Sequence, residues 1–305
     1  MATSGIAVLG APSNLGLRPL HAGHVPGTWR APAVLRAAGL IERLGAYDHG
    51  DLPRPRYDPA NDPATGYRNG AALPGFSATL ADRLGDLLDR ERFVLLLGGD
   101  CSITLGTMLA LRRRGRYGLL FLDGHTDYYQ SSRSTGRTAA GNDLGLVLGD
   151  GPAALVDIEG RRPYLQAQDA VVFGYREDQD TADYSFASFR RATCAKWPLQ
   201  AVRRCGVRQA MDAALATLER VELAGFWVHL DVDVLDPRWM PAVDSPDPGG
   251  MTPDELVMVL RRALVSPRVV GMQLTIFDPD LDADGACATR LVNLLADALG
   301  SRAGV

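Results

Sequence analysis

Three short stretches of this sequence combine residue types that bind divalent cations and activate water. Gly98-Gly99-Asp100-Cys101-Ser102 follows the apolar run FVLLL, Asp123-Gly124-His125-Thr126-Asp127 follows GLLFL, and Asp231, Asp233 and Asp236 stand within FWVHLDVDVLDP. Each leaves an apolar segment of strand length, and ligands of open α/β sheets bind beyond the carboxyl ends of the strands. A single aspartate at a strand end is ordinarily a helix cap or an Asx turn. Asp123, Asp127, Asp231 and Asp233 together read differently, because no Lys or Arg lies between Arg116 and Arg133 or between Arg220 and Arg238. Two carboxylates about 4 Å apart repel by roughly 4 kcal/mol at an effective dielectric near 20. If these loops converge, a cation must sit among them. Asp123 and His125 are two residues apart, as are Asp231 and Asp233, and in extended backbone that spacing turns both side chains to one face. Four carboxylates, the His125 imidazole and the Cys101 thiol are donors enough for two metal ions about 3.5–4 Å apart, the arrangement that holds a bridging hydroxide for hydrolysis.

The elements that must position these loops are legible as a βα alternation. Short apolar runs at Ile6 to Leu9, Phe93 to Leu97, Gly118 to Leu122, Ala170 to Gly174, Phe226 to Val232 and Val269 to Ile276 read as strands. Between them, Ala31 to Leu44, Ser77 to Arg90, Ile103 to Arg114, Val207 to Leu218, Thr252 to Leu264 and Ala286 to Leu299 carry apolar residues at helical period. Near-continuous Val/Leu/Ile strands belong to a parallel sheet covered on both faces, and no linker or charge block divides the chain. The expectation is α/β: a mostly parallel, doubly wound sheet in one domain spanning residues 1–305. Thr252-Pro253-Asp254-Glu255 is a helix start. Arg112, Arg113, Arg114 and Arg116 read as a solvated helix end, and Leu52 to Leu73, rich in Pro, Asp, Asn and Gly, as an extended surface excursion.

Composition narrows the class of function. In 305 residues, 46% hydrophobic and 22% charged, 32 Lys+Arg stand against 36 Asp+Glu, leaving no basic excess for a nucleic-acid backbone. No stretch approaches the roughly 20 apolar residues of a membrane span, and no basic segment precedes the first apolar run. The four cysteines are isolated, which fits a reducing compartment, and the expected location is the cytoplasm.

GGDCS, DGHTD and HLDVDVLDP, in this order and with these gaps, resemble the metal motifs of the arginase, agmatinase and formiminoglutamase family of ureohydrolases. The resemblance extends to AVLGAPSNLG, PGTWRAPAVLRAAGL, PAVDSPDPGGMT and the final strand and helix, and so covers most of the chain. It implies an arginase-like three-layer αβα sandwich and two manganese ions per chain. It implies that Asp123 and Asp231 bridge both metals, that position 101 and Asp127 complete one shell, and that His125 and Asp233 complete the other. In such enzymes a hydroxide held by the metals attacks the carbon of a guanidinium or amidino group, releasing an amine and urea or its analogue. The residue matching Asp127 also hydrogen-bonds the nucleophile. A homo-oligomer, trimer or hexamer, acting on a small molecule is implied as well.

The sequence departs from that pattern in several places. Cys101 stands where most of the family has histidine; as a thiolate ligand it favours zinc or iron over manganese, and as a bystander it is a small apolar filler. Ile276, three residues before Pro279, occupies the place of the glutamate that grips the guanidinium, so an N-substituted guanidine becomes a candidate substrate. Asp278 or Asp280 could replace it only from a re-aimed loop. A family histidine that shuttles protons has its place near Ala140-Gly141, where none is present. His229, two before Asp231, is either a general acid in its stead or a histidine hydrogen-bonded beneath the site. Tyr128 and Tyr129 take the place of an asparagine that reads an amino acid's carboxylate. Glu177 and Asp178 follow the strand VVFGYR and either contact substrate or are solvated. The expectation is a metal-dependent hydrolase of C–N bonds in a guanidino, formimino or N-substituted guanidino compound. A zinc deacetylase-like amidohydrolase and a metal-binding homologue with weak or lost catalysis are its rivals.

Overall fold

The computed structural model describes residues 5–91, 93–128, 137–176 and 187–300. Its strands are β1 Ile6–Ala11, β2 Tyr47–Asp51, β3 Phe93–Gly98, β4 Gly118–Leu122, β5 Ala170–Phe173, β6 Ala195–Trp197, β7 Phe226–Asp231 and β8 Val269–Thr275. They form one sheet in the order β2-β1-β3-β8-β7-β4-β5-β6. All neighbours are parallel. The helices are α1 Ala31–Ala37, α2 Leu40–Leu44, α3 Leu73–Leu88, α4 Ile103–Arg114, α5 Asp143–Val147, α6 Ala153–Val156, α7 Ala187–Arg191, α8 Leu199–Cys205, α9 Val207–Leu218, α10 Pro253–Leu264 and α11 Ala286–Leu299.

Period two along the strands sends alternate side chains to opposite faces. Val8, Leu95, Leu97, Leu120, Val228 and Leu230 pack with residues of α1, α2, α9, α10 and α11. Ala7, Leu9, Val94, Leu96, Phe121 and Trp227 pack with α3, α4 and α5 on the other side. The result is the three-layer αβα sandwich that both the alternation and the family resemblance predict.

The differences from the sequence reading include the short helices α5 to α8, which carry too few residues for a helical period, and elements whose burial is one-sided. β2 (YDHGD) and β6 (AKW) are edge strands, exposed or half-buried, so they lack the apolar run that announces an inner strand. The helix predicted over Ala31 to Leu44 breaks at Gly39, whose φ of 87° no L side chain adopts readily. The segment from Leu52 to Leu73 is not only a surface excursion. Tyr67 is wholly buried, and Asn69 Nδ2 donates to the Leu15 carbonyl at 2.8 Å, bracing the loop after β1. The arginines at the end of α4 are paired: Arg113 with Asp82 and Glu159, Arg116 with Asp169. Among the described residues no helix is long and apolar enough to cross a membrane.

Asp100 clamps the floor of the carboxyl-end crevice. Its Oδ1 accepts the Gly16 and Ser102 amides at 3.0 and 2.9 Å, and its Oδ2 accepts the Ser13 hydroxyl at 2.7 Å, joining the loops after β1 and β3. Gly99 lies so tightly on the Ser13 backbone that a Cβ would come within 2.6 Å of Ser13 N. Asp100→Ala leaves three buried donors without their acceptor, and its expected cost is about 3 kcal/mol. A urea unfolding midpoint equal to that of the parent would contradict this account.

Candidate metal centre

β4 and β7 pair in the register Phe121↔His229 and Leu122↔Leu230, so Asp123 and Asp231 emerge side by side. β8 borders β7 and β3 borders β8, which brings the loops after β3, β4 and β7 to one crevice. Thr275, at the end of β8, closes the gap: its Oγ1 donates to the Leu230 carbonyl and lies 3.0 Å from Cys101 Sγ.

Spacing by two does bring the side chains together, although not through extended backbone. β7 ends at Asp231, and residues 232–234 form a 3-10 turn capped by the Asp231 carboxylate. Asp231 Oδ1 accepts the Asp233 amide at 2.8 Å, and Asp123 Oδ1 accepts the His125 amide at 2.6 Å. Each aspartate thus holds an Asx turn with one oxygen and turns the other toward the crevice. Asp236 is wholly a turn residue, accepting from Arg238 and from the Gly249 amide.

Two donor groups result. One ligand atom each from Cys101, Asp123, His229 and Asp231 lies within 4.8 Å of the others, and the same holds for Asp123, His125 and Asp233. Asp123 is common to both. His125 Nδ1 stands 2.9 Å from Asp233 Oδ2 and 3.8 Å from Asp123 Oδ1. Cys101 Sγ donates to Asp231 Oδ2 at 2.9 Å. Asp127 is buried beside these residues with a left-handed φ of 40°, but it joins neither group. Tyr129, Glu177 and Asp178 lie outside the described residues. Tyr128 packs edge-on to Phe189.

The electrostatics of the metal-free chain are those of crowded, buried acids. Burial, then neighbouring carboxylates, push Asp123, Asp127 and Asp231 well above the usual carboxylate range. Asp143, at the start of α5, is raised chiefly by burial. Burial and the same acids also raise the Cys101 thiol. Asp233 is the exception. Burial raises it too, but the His125 hydrogen bond and charge, the Gly124 amide and Arg176 outweigh burial and hold it low. His229 is pushed down to about 3 by burial, so its imidazole is neutral.

Asp123 Oδ2 and His229 Nε2 are buried with no hydrogen-bond partner among the described residues. An unsatisfied buried acceptor costs about 1–3 kcal/mol, and an oxygen-rich set with one or two softer donors fits a divalent cation. The residues present therefore fit the metal that their types imply.

Three contributors escaped the sequence reading because their partners are remote in the chain. Arg176, after β5, donates to the Asp233 and Val234 carbonyls at 2.9 and 3.1 Å. A Cβ on Gly124 would meet that guanidinium at 2.5 Å and Asp233 Oδ1 at 2.8 Å, which explains glycine there. Asp143 is wholly buried, and Asp244 is raised to about 6 by burial and Asp233. The stretch PAVDSPDPGGMT was the available signal for Asp244; nothing local marks the other two.

A profile of the Arginase family matches residues 4–300. The chain belongs to the arginase family. It is 28% identical over 305 residues to an arginase of Bacillus caldovelox, covering 97% of this chain and 98% of that protein. The solved structure of the B. caldovelox arginase superposes with a TM-score of 0.86 at 28% identity, over 97% of this chain and 98% of that one. Proclavaminate amidino hydrolase from Streptomyces clavuligerus shares the fold, with a TM-score of 0.72 at 21% identity over 98% and 91% of the two chains. The chain is thus a metal-dependent amidinohydrolase, acting on amidine C–N bonds. The deacetylase-like and non-catalytic alternatives are not favoured.

The altered positions can be placed within that family frame. Ile276 is 3% exposed and has a φ of 71°, a backbone conformation costly for a β-branched residue. Its amide donates to the Gly99 carbonyl at 2.9 Å. Asp278 and Asp280 do not replace the missing glutamate. Asp278 accepts the Gly27 and Asp280 amides at 3.0 and 2.9 Å, and Asp280 pairs with Arg30.

The raised acids set the pH response. In the metal-free chain the folded state holds their protons more tightly than the unfolded state does, so stability falls as pH rises above about 4.5. His229 opposes this, since burial lowers it from the ordinary 6.5 to about 3, but it is one group against several. A divalent cation competes with those protons, so its stabilisation grows with pH. In EDTA, the melting temperature should fall between about pH 4.5 and 7.5, and the increment from added manganese should be larger at the higher pH. Equal increments at both would show that these acids do not meet the ion.

Proposed function

We propose that this chain hydrolyses a guanidino, formimino or N-substituted guanidino small molecule, releasing an amine and urea or a urea-like product. The observation that carries this reading is the pair of donor groups sharing Asp123 in a crevice whose family glutamate position is the apolar Ile276. An apolar residue there removes the charge that favours a cationic guanidinium, which suits a substrate whose amidine carbon bears a less basic substituent.

Cys101, Asp123, His125, Asp127, Asp231 and Asp233 would hold two ions per chain. Manganese is the first assignment, with zinc or iron admitted by the thiol. Such ions, when bound, supply Lewis acidity and lower the pKa of water. The chain's own groups do the rest. Asp127, buried at the edge of the donor set, is placed to hold and return a proton at its carboxylate. The glycine and backbone clamp around Asp100 keeps the loops preorganised. His229, kept neutral by burial, is not a charged acid standing in for the family shuttle. Tyr129, Glu177 and Asp178 are the proposed substrate contacts. We further read residues 1–305 as one catalytic domain of a cytoplasmic homo-oligomer, trimer or hexamer.

Urea and ammonia release measured with manganese-loaded protein over unsubstituted guanidines, N-hydroxyguanidines and formimino compounds tests the reading. Turnover should be highest outside the unsubstituted guanidines. Ile276→Glu should shift kcat/KM toward cationic guanidines by about tenfold or more, the worth of one charge-assisted hydrogen bond. No release from any of these compounds would overturn the reading, and a parent enzyme that prefers arginine would overturn the preference drawn from Ile276.

A further inference from the structure

His229 sits one pleat below Asp231 on the same face of β7, with Phe121 of β4 beside it on one side and Gln273 of β8 on the other. Its ring stacks on Phe121 at a centroid distance of 4.3 Å and an interplanar angle of 5°. Nδ1 lies 2.7 Å from the Gln273 amide and 3.2 Å from Thr104 Oγ1, and Gln273 in turn reaches Thr104 at 2.8 Å. The imidazole is therefore held in plane and at one end, and only Nε2 points into the crevice. That nitrogen is 3.9 Å from Asp123 Oδ2, too far for a hydrogen bond. Neither atom has another partner among the described residues. Two buried atoms that face each other at this separation with nothing between them, in a group that also contains Cys101 Sγ and an Asp231 oxygen, are spaced as ligands of one ion.

We propose that His229 Nε2 and Cys101 Sγ are metal ligands, so that the centre consists of two chemically unlike sites. One is built on Cys101, Asp123, His229 and Asp231, with one sulfur, one nitrogen and two carboxylates, and Asp127 stands at its edge. The other is Asp123, His125 and Asp233, with one nitrogen and two carboxylates. The first selects a borderline-soft ion such as zinc, iron(II) or cobalt(II), and the second accepts a harder ion such as manganese(II). The imidazole enters from the strand below the site, while the thiol enters from the loop after β3.

The support beneath the ring suits this role. Turned so that its oxygen faces Nδ1, the Gln273 amide accepts from Nδ1–H, and Nε2 keeps its lone pair for the ion. The two amide orientations are nearly isosteric, and in the present one Gln273 Oε1 is buried without a partner among the described residues. This inference rests on the metal dependence of the family and is independent of the substrate proposed above.

Metal spectroscopy without substrate tests it separately from turnover. Metal-free full-length protein titrated anaerobically with cobalt(II) should develop a thiolate-to-cobalt band in the near ultraviolet with the first equivalent, and Cys101→Ser should abolish that band. His229→Gln should keep the band, alter the visible ligand-field spectrum and weaken the first equivalent by more than the roughly 10–100-fold that follows loss of an outer hydrogen-bonding partner. Manganese binding by electron paramagnetic resonance should persist in both variants, reporting an intact second site. A His229→Gln protein with an unchanged visible spectrum and a loss under tenfold would place the imidazole outside the shell. The parent protein gives a check independent of any variant. With one equivalent of zinc, X-ray absorption should show a sulfur at about 2.3 Å and imidazole nitrogen at about 2.0–2.1 Å, and a shell of light atoms alone would overturn the assignment.

Discussion

Asp123, Asp127, Asp143 and Asp231 are buried within electrostatic reach of one another, and in the metal-free chain burial and mutual repulsion hold their carboxyls above the normal range. Much of the rest of the molecule follows from that crowding. Such acids remain together only if a rigid frame forces them together and cations offset their charge. The frame is the parallel sheet, which sets Asp123 beside Asp231 by strand register, with β8 between the first motif and the other two. The cations are what membership of the arginase family supplies.

The economy of the aspartates is notable in physical terms. Asp123 and Asp231 each use Oδ1 to turn the chain sharply out of its strand and leave Oδ2 for the crevice. Asp100, Asp236 and Asp278 use both oxygens for turns and leave none. Residue type alone does not separate the two kinds. The separation comes from how many backbone and hydroxyl donors the fold brings to each carboxylate, and from whether a second oxygen is left facing the crevice.

The pocket differs from the pattern of its family in a consistent direction. Ile276 is apolar and buried, and the nearby acids Asp278 and Asp280 are occupied by Gly27 and Arg30. The Cys101 thiol and the His229 imidazole reach the same crevice from different elements, the loop after β3 and strand β7.

Local sequence determined a great deal here. Six of the eight strands, the longer helices α3, α4, α9, α10 and α11 and the acidic loops were legible because an inner parallel strand must be apolar on both faces and because a strand-end aspartate advertises a turn; the short helices α5 to α8 were not. The edge strands β2 and β6 were not legible, since one-sided burial leaves no apolar run, and the break at Gly39 was hidden by an unbroken apolar period. Only the tertiary structure decided how the site is populated. Nothing near Arg176 or Asp143 in the chain marks them, yet folding brings them to the acids. The spacing of His229 from Asp231 places it on the right face, but whether its free nitrogen meets a solvated void, a hydrogen-bond acceptor or an ion depends on Asp123, Phe121, Gln273 and Thr104. Those contacts span as many as 125 residues of sequence, between Thr104 and His229, and exist only because β4, β7 and β8 are neighbours.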